Sequence, residues 1–338
     1  MAQPTRRFRS RCKILLGCAI SGLVLAARTL AQTSVEDVHV KPLSGITANQ
    51  SSQKSALTSA VRSFKTRADL VIVPVSVTDA ANRPVLGLEK ENFQVYENKR
   101  PQTVLSYSTE DAPVSIGIVL DESGSMQNKL GKAREAINNL VSTANPDDEF
   151  FLITFSDKPV QILDFDSSAE QIKNELLYTV AKGSTALFDA VYLAIRKMEK
   201  ANFSRKAILI VSDGEDNHSH YTENEIRNVA READILIYGI GIFDAFVDPF
   251  DGQVGPEVLA QLSALTGGRT FVIQNPKDLV DAADRIGFEL RNLYILSYTP
   301  QETSRDGKWH KIKVKLTLPK GLPALRVHAR EGYYATAE

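Results

Sequence analysis

The chain has 338 residues, with 40 lysines and arginines against 41 aspartates and glutamates, and a formal net charge of −1. This length allows about two domains with a sizeable core, and 43% hydrophobic with 24% charged residues is typical of a globular protein. The composition excludes chain-wide disorder, a collagen-like repeat and a multispanning membrane protein. The balanced charge also argues against a nucleic-acid partner.

The first 31 residues differ from the rest of the chain. They hold six basic residues and no acidic one, and five of the basic residues precede an apolar run over 14–27 that is too short for an ordinary transmembrane helix. Small residues, Thr29 and Ala31, close the segment. This pattern predicts a secretory signal peptide over 1–31.

Other interpretations of this segment are an uncleaved membrane anchor, a twin-arginine signal at Arg6-Arg7 and a lipoprotein box ending at Cys18. Cleavage after residue 31 leaves 34 basic and 41 acidic residues, a charge near −7, and removes both cysteines, Cys12 and Cys18. Such a chain has neither a thiol nucleophile nor Cys-ligated zinc. We expect an exported protein, whether periplasmic, secreted or on the cell surface, with no integral membrane span after signal removal.

Hydrophobic patterning divides the remaining chain into four regions. Residues 32–67 are polar and read as a flexible lead-in, whereas 68–111 is a β-rich segment of short strands that include one over 102–108. Strand and helix patterns alternate over 112–293, and strands return over 294–335. Because an open α/β sheet commonly brings its termini together, we expect the two β-rich flanks to pack as one β-sandwich.

The 112–293 region predicts an α/β fold with a doubly wound, mostly parallel sheet. Continuous apolar runs such as Val114–Leu120 suit strands that are buried on both faces. Helical segments, including 129–144 and 168–180, alternate with the strands, except that the strand over 150–155 is followed by an edge strand over 160–165, in a Rossmann-like arrangement.

Oxygen-bearing side chains come after two of these strands, and a further one lies in a loop before a helix. Asp121, Ser123 and Ser125 come directly after the 114–120 strand, Thr185 precedes a helix, and Asp213 follows the strand over 206–211. Ligands of open α/β sheets bind at the carboxyl ends of the strands, so these side chains are expected to meet. Carboxylates with compact hydroxyls suit Mg²⁺, with Mn²⁺ or Ca²⁺ as alternatives. A capped helix start without metal is the simpler interpretation.

In this order the five residues resemble the metal-ion-dependent adhesion site of the von Willebrand factor type A family, which reads D-x-S-x-S, then Thr, then Asp. The resemblance implies that Ser123, Ser125 and Thr185 contact the metal directly, while Asp121 and Asp213 act largely through water. It also implies that a carboxylate of a partner protein fills the open coordination position.

The flanking segments extend this resemblance to nearly the whole exported chain. They are similar to a bacterial von Willebrand factor A-related family of acidobacterial type, over about residues 68–335. The segments that carry the similarity are 85–93, 107–113, Leu296-Ser297-Tyr298-Thr299-Pro300 and Glu331-Gly332-Tyr333-Tyr334.

Several polar residues near the predicted site receive a structural interpretation. Asp189 is expected to hydrogen-bond near the site rather than ligate metal, and Glu122 to face solvent. His218 and His220 are read as solvated loop histidines, with zinc binding as the alternative. Away from the site, Trp309 on the terminal hairpin is expected in the core of the β-sandwich. An acidic loop is read as solvated, with a second Ca²⁺ site as the alternative: Asp244, Asp248, Asp251 and Gly252.

The sequence therefore predicts a metal-dependent binding protein for adhesion or scaffolding rather than an enzyme. It contains no G-x-S-x-G, H-E-x-x-H or P-loop motif. A structural envelope protein braced by its metal remains an alternative. A metal-assisted hydrolase with Asp121 or Asp213 as base is a further one.

Overall fold

The computed structural model describes residues 70–242, 254–275, 278–300, 306–318 and 324–335. The predicted signal peptide over 1–31 and lead-in over 32–67 lie outside these residues. The strands, in chain order, are β1 Val71–Thr78, β2 Phe93–Glu97, β3 Arg100–Gln102, β4 Ser106–Ser108, β5 Val114–Asp121, β6 Glu149–Phe155, β7 Pro159–Ser167, β8 Arg205–Ser212, β9 Leu236–Ile242, β10 Thr270–Ile273, β11 Tyr294–Tyr298, β12 Trp309–Leu316, β13 Arg326–Ala329 and β14 Gly332–Tyr334.

Helices alternate with the strands in the middle of the chain. In chain order they are α1 Leu130–Thr143, α2 Ala169–Leu176, α3 Leu187–Met198, α4 Glu223–Glu232, α5 Val254–Thr266 and α6 Asp278–Arg291. None of the helices in the described ranges is long and apolar enough to span a membrane.

A six-stranded sheet with the order β10-β9-β8-β5-β6-β7 forms the centre of the fold. All neighbouring strands are parallel except β7, which runs antiparallel to β6 at one edge. Side chains of α1, α2 and α6 pack on one face of the sheet, and those of α3, α4 and α5 pack on the other. Every residue of β5, β6 and β9 is buried, because helices cover both faces. The predicted doubly wound, mostly parallel sheet is confirmed.

The β-rich flanks form two further four-stranded sheets, with the orders β13-β1-β11-β4 and β14-β12-β2-β3. Each sheet joins both flanks, since β1 pairs antiparallel with β11 and β2 with β12. Apolar side chains from the two sheets share one core that includes Val73, Val95, Leu296 and Ile312. The expected single β-sandwich is therefore present.

One carboxylate is buried in the sandwich and is fully engaged. Glu97 accepts hydrogen bonds from the hydroxyl of Tyr298 at 2.7 Å, from Nδ1 of His310 at 2.8 Å and from the hydroxyl of Tyr333 at 3.2 Å. Burial alone lowers the pKa of His310, but its hydrogen bonds to Glu97 and Asp306 outweigh burial and raise this pKa above its usual value.

Two predicted elements differ in the structure. The strand expected over 102–108 is two strands, because β3 pairs with β2 in one sheet and β4 pairs with β11 in the other. The helix expected over 168–180 ends at Leu176, whose carbonyl accepts a hydrogen bond from the hydroxyl of Thr179 at 2.8 Å. Strand β14 was not predicted.

Candidate metal centre

The five predicted ligands lie at the carboxyl-terminal edge of the central sheet. Asp121 is the last residue of β5, and Asp213 directly follows β8, which is the parallel neighbour of β5. Ser123 and Ser125 lie in the loop after β5, where a single 3-10 turn spans Gly124–Met126. The two strands end at the same edge, so the topology brings both carboxylates there.

Asp121 is fully buried and its carboxylate is fixed at both oxygens. Oδ1 accepts a hydrogen bond from the backbone N–H of Ser123 at 2.8 Å, and Oδ2 accepts one from the hydroxyl of Ser212 at 2.6 Å. Burial raises the pKa of Asp121 to about 6, and the nearby charge of Asp213 acts in the same direction, while these hydrogen bonds oppose the rise. Such a carboxylate is stabilised by a neighbouring cation.

The two serine hydroxyls are adjacent. The Oγ atoms of Ser123 and Ser125 are 3.0 Å apart, with Ser123 buried and Ser125 exposed. The turn therefore places the hydroxyl of a buried residue next to that of an exposed one. Neutral oxygens in this arrangement can ligate a cation from the solvent side.

The Thr185 loop is hydrogen-bonded to the serine loop. The N–H of Gly124 donates to the carbonyl of Gly183 at 3.1 Å, and the N–H of Lys182 donates to the carbonyl of Glu122 at 2.7 Å. Gly183 has φ = +78°, a left-handed conformation that favours glycine. The backbone N–H of the buried Thr185 donates to Oδ1 of Asn217 at 2.9 Å. These bonds hold the Thr185 loop against the serine loop.

Asp213 carries the observation that bears most directly on a metal. Its Oδ2 lies 3.3 Å from Nζ of Lys129, whereas its Oδ1 is buried and accepts no hydrogen bond from the described part of the chain. A buried carboxylate oxygen without a partner is costly, so it calls for a ligand. Two carboxylates and three hydroxyls form an all-oxygen donor set of the kind that Mg²⁺ prefers. The residues present therefore fit a divalent ion.

Sequence comparison identifies the family. A family model for the von Willebrand factor type A (VWA) domain matches residues 115–285, about half of the chain. The chain belongs to the VWA family. The match runs from the second residue of β5 to the middle of α6 and includes all five candidate ligands.

Individual relatives of this VWA protein are distant. Inter-alpha-trypsin inhibitor heavy chain H4 of Bos taurus is 28% identical over 134 residues, which is 36% of this chain and only 15% of the bovine one. Among solved structures, proximal thread matrix protein 1 of the mussel byssus, with a zinc-occupied metal site, is 17% identical with a TM-score of 0.47, covering 58% of this chain and 50% of that one. A von Willebrand factor type A protein from Catenulispora acidiphila is 14% identical with a TM-score of 0.47, covering 80% and 64%.

Asp189 and His218, which lie near the candidate ligands in the sequence, are engaged in hydrogen bonds. Oδ1 of Asp189 accepts hydrogen bonds from the backbone N–H groups of His220 and Tyr221, and its Oδ2 lies 2.8 Å from Nδ1 of the exposed His220. The backbone N–H of His218 donates to the carbonyl of Thr185. The described residues contain no group of three or more histidine, cysteine or acidic side chains that could hold a metal. The acidic loop of Asp244 lies outside the described residues.

Two interpretations of neighbouring residues are corrected. Glu122 is half-buried rather than solvent-facing; burial raises its pKa, while a hydrogen bond with Thr154 opposes the rise. Trp309 lies at the margin of the sandwich rather than in its core. It is half-buried, packs edge-on against Tyr334 at 5.1 Å between ring centroids, and has the guanidinium of Arg231 5.8 Å from its ring.

Three residues that hold the candidate ligands were not predicted. Ser212 bonds Asp121, Asn217 bonds Thr185, and Lys129 pairs with Asp213. Ser212 has a weak signal in the sequence, as a polar residue at the end of an apolar strand. Lys129 and Asn217 have none, because their contacts join segments 84 and 32 residues apart.

Proposed function

We propose that this VWA protein is exported and binds a partner protein through a divalent ion held by Asp121, Ser123, Ser125, Thr185 and Asp213. Mg²⁺ fits the donor set best, and Mn²⁺ or Ca²⁺ are substitutes. The observation that carries the proposal is the buried Oδ1 of Asp213, which accepts no hydrogen bond from the described part of the chain. VWA family membership supports it, since protein binding is common in this family.

A mainly neutral set of direct ligands explains why the site suits binding to an acidic partner. When bound, the ion supplies local positive charge, and a carboxylate of the partner can ligate the ion. Ser123, Ser125 and Thr185 contribute no charge of their own to offset it. Because the predicted exported chain is acidic, with a charge near −7, attraction of an acidic partner depends on this local charge rather than on the overall field.

The contacts of the serines favour binding over catalysis. The hydroxyls of Ser123 and Ser125 contact each other, and in the described ranges neither bonds a histidine that could activate it as a nucleophile. Asp121 is held by the backbone of Ser123 and by Ser212, which fixes its carboxylate in place. A fixed carboxylate of this kind orients ligands.

An exposed apolar patch next to the candidate metal centre supports a protein partner. Leu177, Tyr178 and Val180 are 66%, 78% and 63% exposed, and we call them the 177–180 patch. Thr179 between them is buried, and its hydroxyl accepts a hydrogen bond from Nε of Arg134 at 2.7 Å. Large apolar residues held outward on a fixed loop are typical of a protein interface.

The patch is connected to the candidate ligands through the backbone. Val180 is five residues before Thr185, and the intervening Lys182 donates its N–H to the serine loop at Glu122. We therefore propose a partner that presents an acidic side chain next to apolar ones. The carboxylate completes the coordination of the ion, and the apolar side chains cover the 177–180 patch.

Capture of envelope proteins on the immobilised chain tests this function. We expect a protein that the wild type retains in Mg²⁺ and releases in EDTA, and that Asp121→Ala does not retain. The double substitution Leu177→Ser and Tyr178→Ser should reduce retention without changing ion binding. Val272→Ser is the matched control, because Val272 is 52% exposed on the edge strand β10.

Two outcomes contradict the proposal. Retention that is equal in Mg²⁺ and EDTA, and equal in the Asp121→Ala variant, excludes capture through the metal. If Mg²⁺ raises the melting temperature while no protein depends on it for retention, the ion has the bracing role of a structural envelope protein.

A further inference from the structure

Lys129 is a buried cation beside the candidate metal centre. Its side chain is 9% exposed, and its Nζ lies 3.3 Å from Oδ2 of Asp213, whose side chain is 6% exposed. A lysine is seldom buried unless an opposite charge compensates it. Lys132, one turn further along the same helix, is 43% exposed and pairs with Glu135, which is the usual situation of a helical lysine.

The position of Lys129 on the helix makes its burial more notable. It is the N-cap residue of α1, where the helix dipole disfavours a positive charge. Neither the helix dipole nor contact with solvent therefore stabilises the ammonium group of Lys129. The carboxylate of Asp213 supplies a compensating attraction, since its Oδ2 lies 3.3 Å from the ammonium nitrogen.

We infer that the Lys129 ammonium is a built-in cation that neutralises Asp213 when no divalent ion is bound and competes with the ion for that carboxylate. The inference rests on the proposed metal site. An ammonium in a low-dielectric site repels a divalent ion nearby, so binding of the ion requires the Lys129–Asp213 pair to loosen. The pair thus allows the chain to fold without metal and makes ion binding weaker than the donor set alone would give.

Exchanging the ammonium for an apolar group of similar length tests this directly. Lys129→Met should bind Mn²⁺ about tenfold more tightly than the wild type in calorimetric titration of the full chain, because the competing charge is gone. In EDTA the variant should melt at a lower temperature, because Asp213 is left buried without its cation, and Mn²⁺ should raise its melting temperature more than that of the wild type. Lys132→Met, which removes an exposed lysine from the same helix, should match the wild type in every measurement.

Lys129→Gln keeps a polar group at this position and replaces the methionine variant in the titration if that variant does not fold in EDTA. The glutamine variant should also bind Mn²⁺ more tightly than the wild type. If the wild type binds Mn²⁺ and the folded Lys129 variants bind it equally or more weakly, the inference is overturned while the proposed function stands. If the wild type itself binds no divalent ion, the proposed function fails and the inference fails with it.

Discussion

Replacing Ser212 with alanine should weaken both the fold and the metal site. Ser212 is fully buried, and its hydroxyl donates to Oδ2 of Asp121 at 2.6 Å and accepts from the N–H of Gly214 at 2.9 Å. A hydrogen bond to a charged group contributes about 1.5–3 kcal/mol and one between neutral groups about 1 kcal/mol. Since both partners are buried and water cannot easily replace the hydroxyl, we expect the free energy of unfolding in EDTA to fall by about 2–3 kcal/mol.

The same substitution should lower divalent-ion affinity by about tenfold, because a carboxylate that loses its orienting donor must be fixed by the ion itself. Urea unfolding in EDTA measures the first effect and Mn²⁺ titration the second. Ser142→Ala is the control, because that hydroxyl donates to the carbonyl of Asn138 on the exposed side of α1. If Ser212→Ala loses less than about 0.5 kcal/mol and binds Mn²⁺ as the wild type does, Ser212 does not orient Asp121.

Two further predictions concern stability. A Cβ on Gly117 would approach the buried ring of Phe151 to 2.2 Å, so Gly117→Ala should cost about 1–3 kcal/mol in urea unfolding. A Cβ on Gly131 of α1 would meet nothing within 4 Å, so Gly131→Ala should instead raise the free energy of unfolding by about 0.5–1 kcal/mol. If the two substitutions change the free energy of unfolding equally, the close packing of Phe151 on Gly117 is contradicted. Burial lowers the pKa of His328 to about 4, so between pH 6.5 and 4 the unfolded chain binds a proton that the folded chain does not. The free energy of unfolding should therefore fall by about 1–2 kcal/mol more in the wild type than in His328→Gln as the pH drops through this range; parallel pH profiles would contradict it.

The central sheet could be predicted from the sequence because its inner strands are buried on both faces. Such strands read as continuous apolar runs, and β5 and β8 begin and end within a residue of where the patterns put them. The sequence pattern of the strands in the β-sandwich is weaker. The chain crosses from one sheet to the other between β3 and β4, and no local pattern marks the crossing.

The candidate ligands could be proposed because parallel topology turns sequence order into spatial order. A polar residue after each of two neighbouring parallel strands must lie at the same edge, so Asp121 and Asp213 meet although 92 residues separate them. Lys129 has no such constraint. It precedes a helix, and only the packing of α1 against the sheet decides that its ammonium reaches Asp213 rather than solvent.

Titration of the metal-free chain with Mn²⁺ tests the central claim most directly. We predict that the wild type binds a single ion and that Thr185→Val, which keeps the shape of the side chain and removes its hydroxyl, binds it at least about tenfold more weakly. Thr317→Val, at an exposed position in the sandwich region, should bind as the wild type does. A wild type that binds no divalent ion, or a Thr185→Val variant that binds it equally well, would contradict the assignment of this sheet edge as a metal centre.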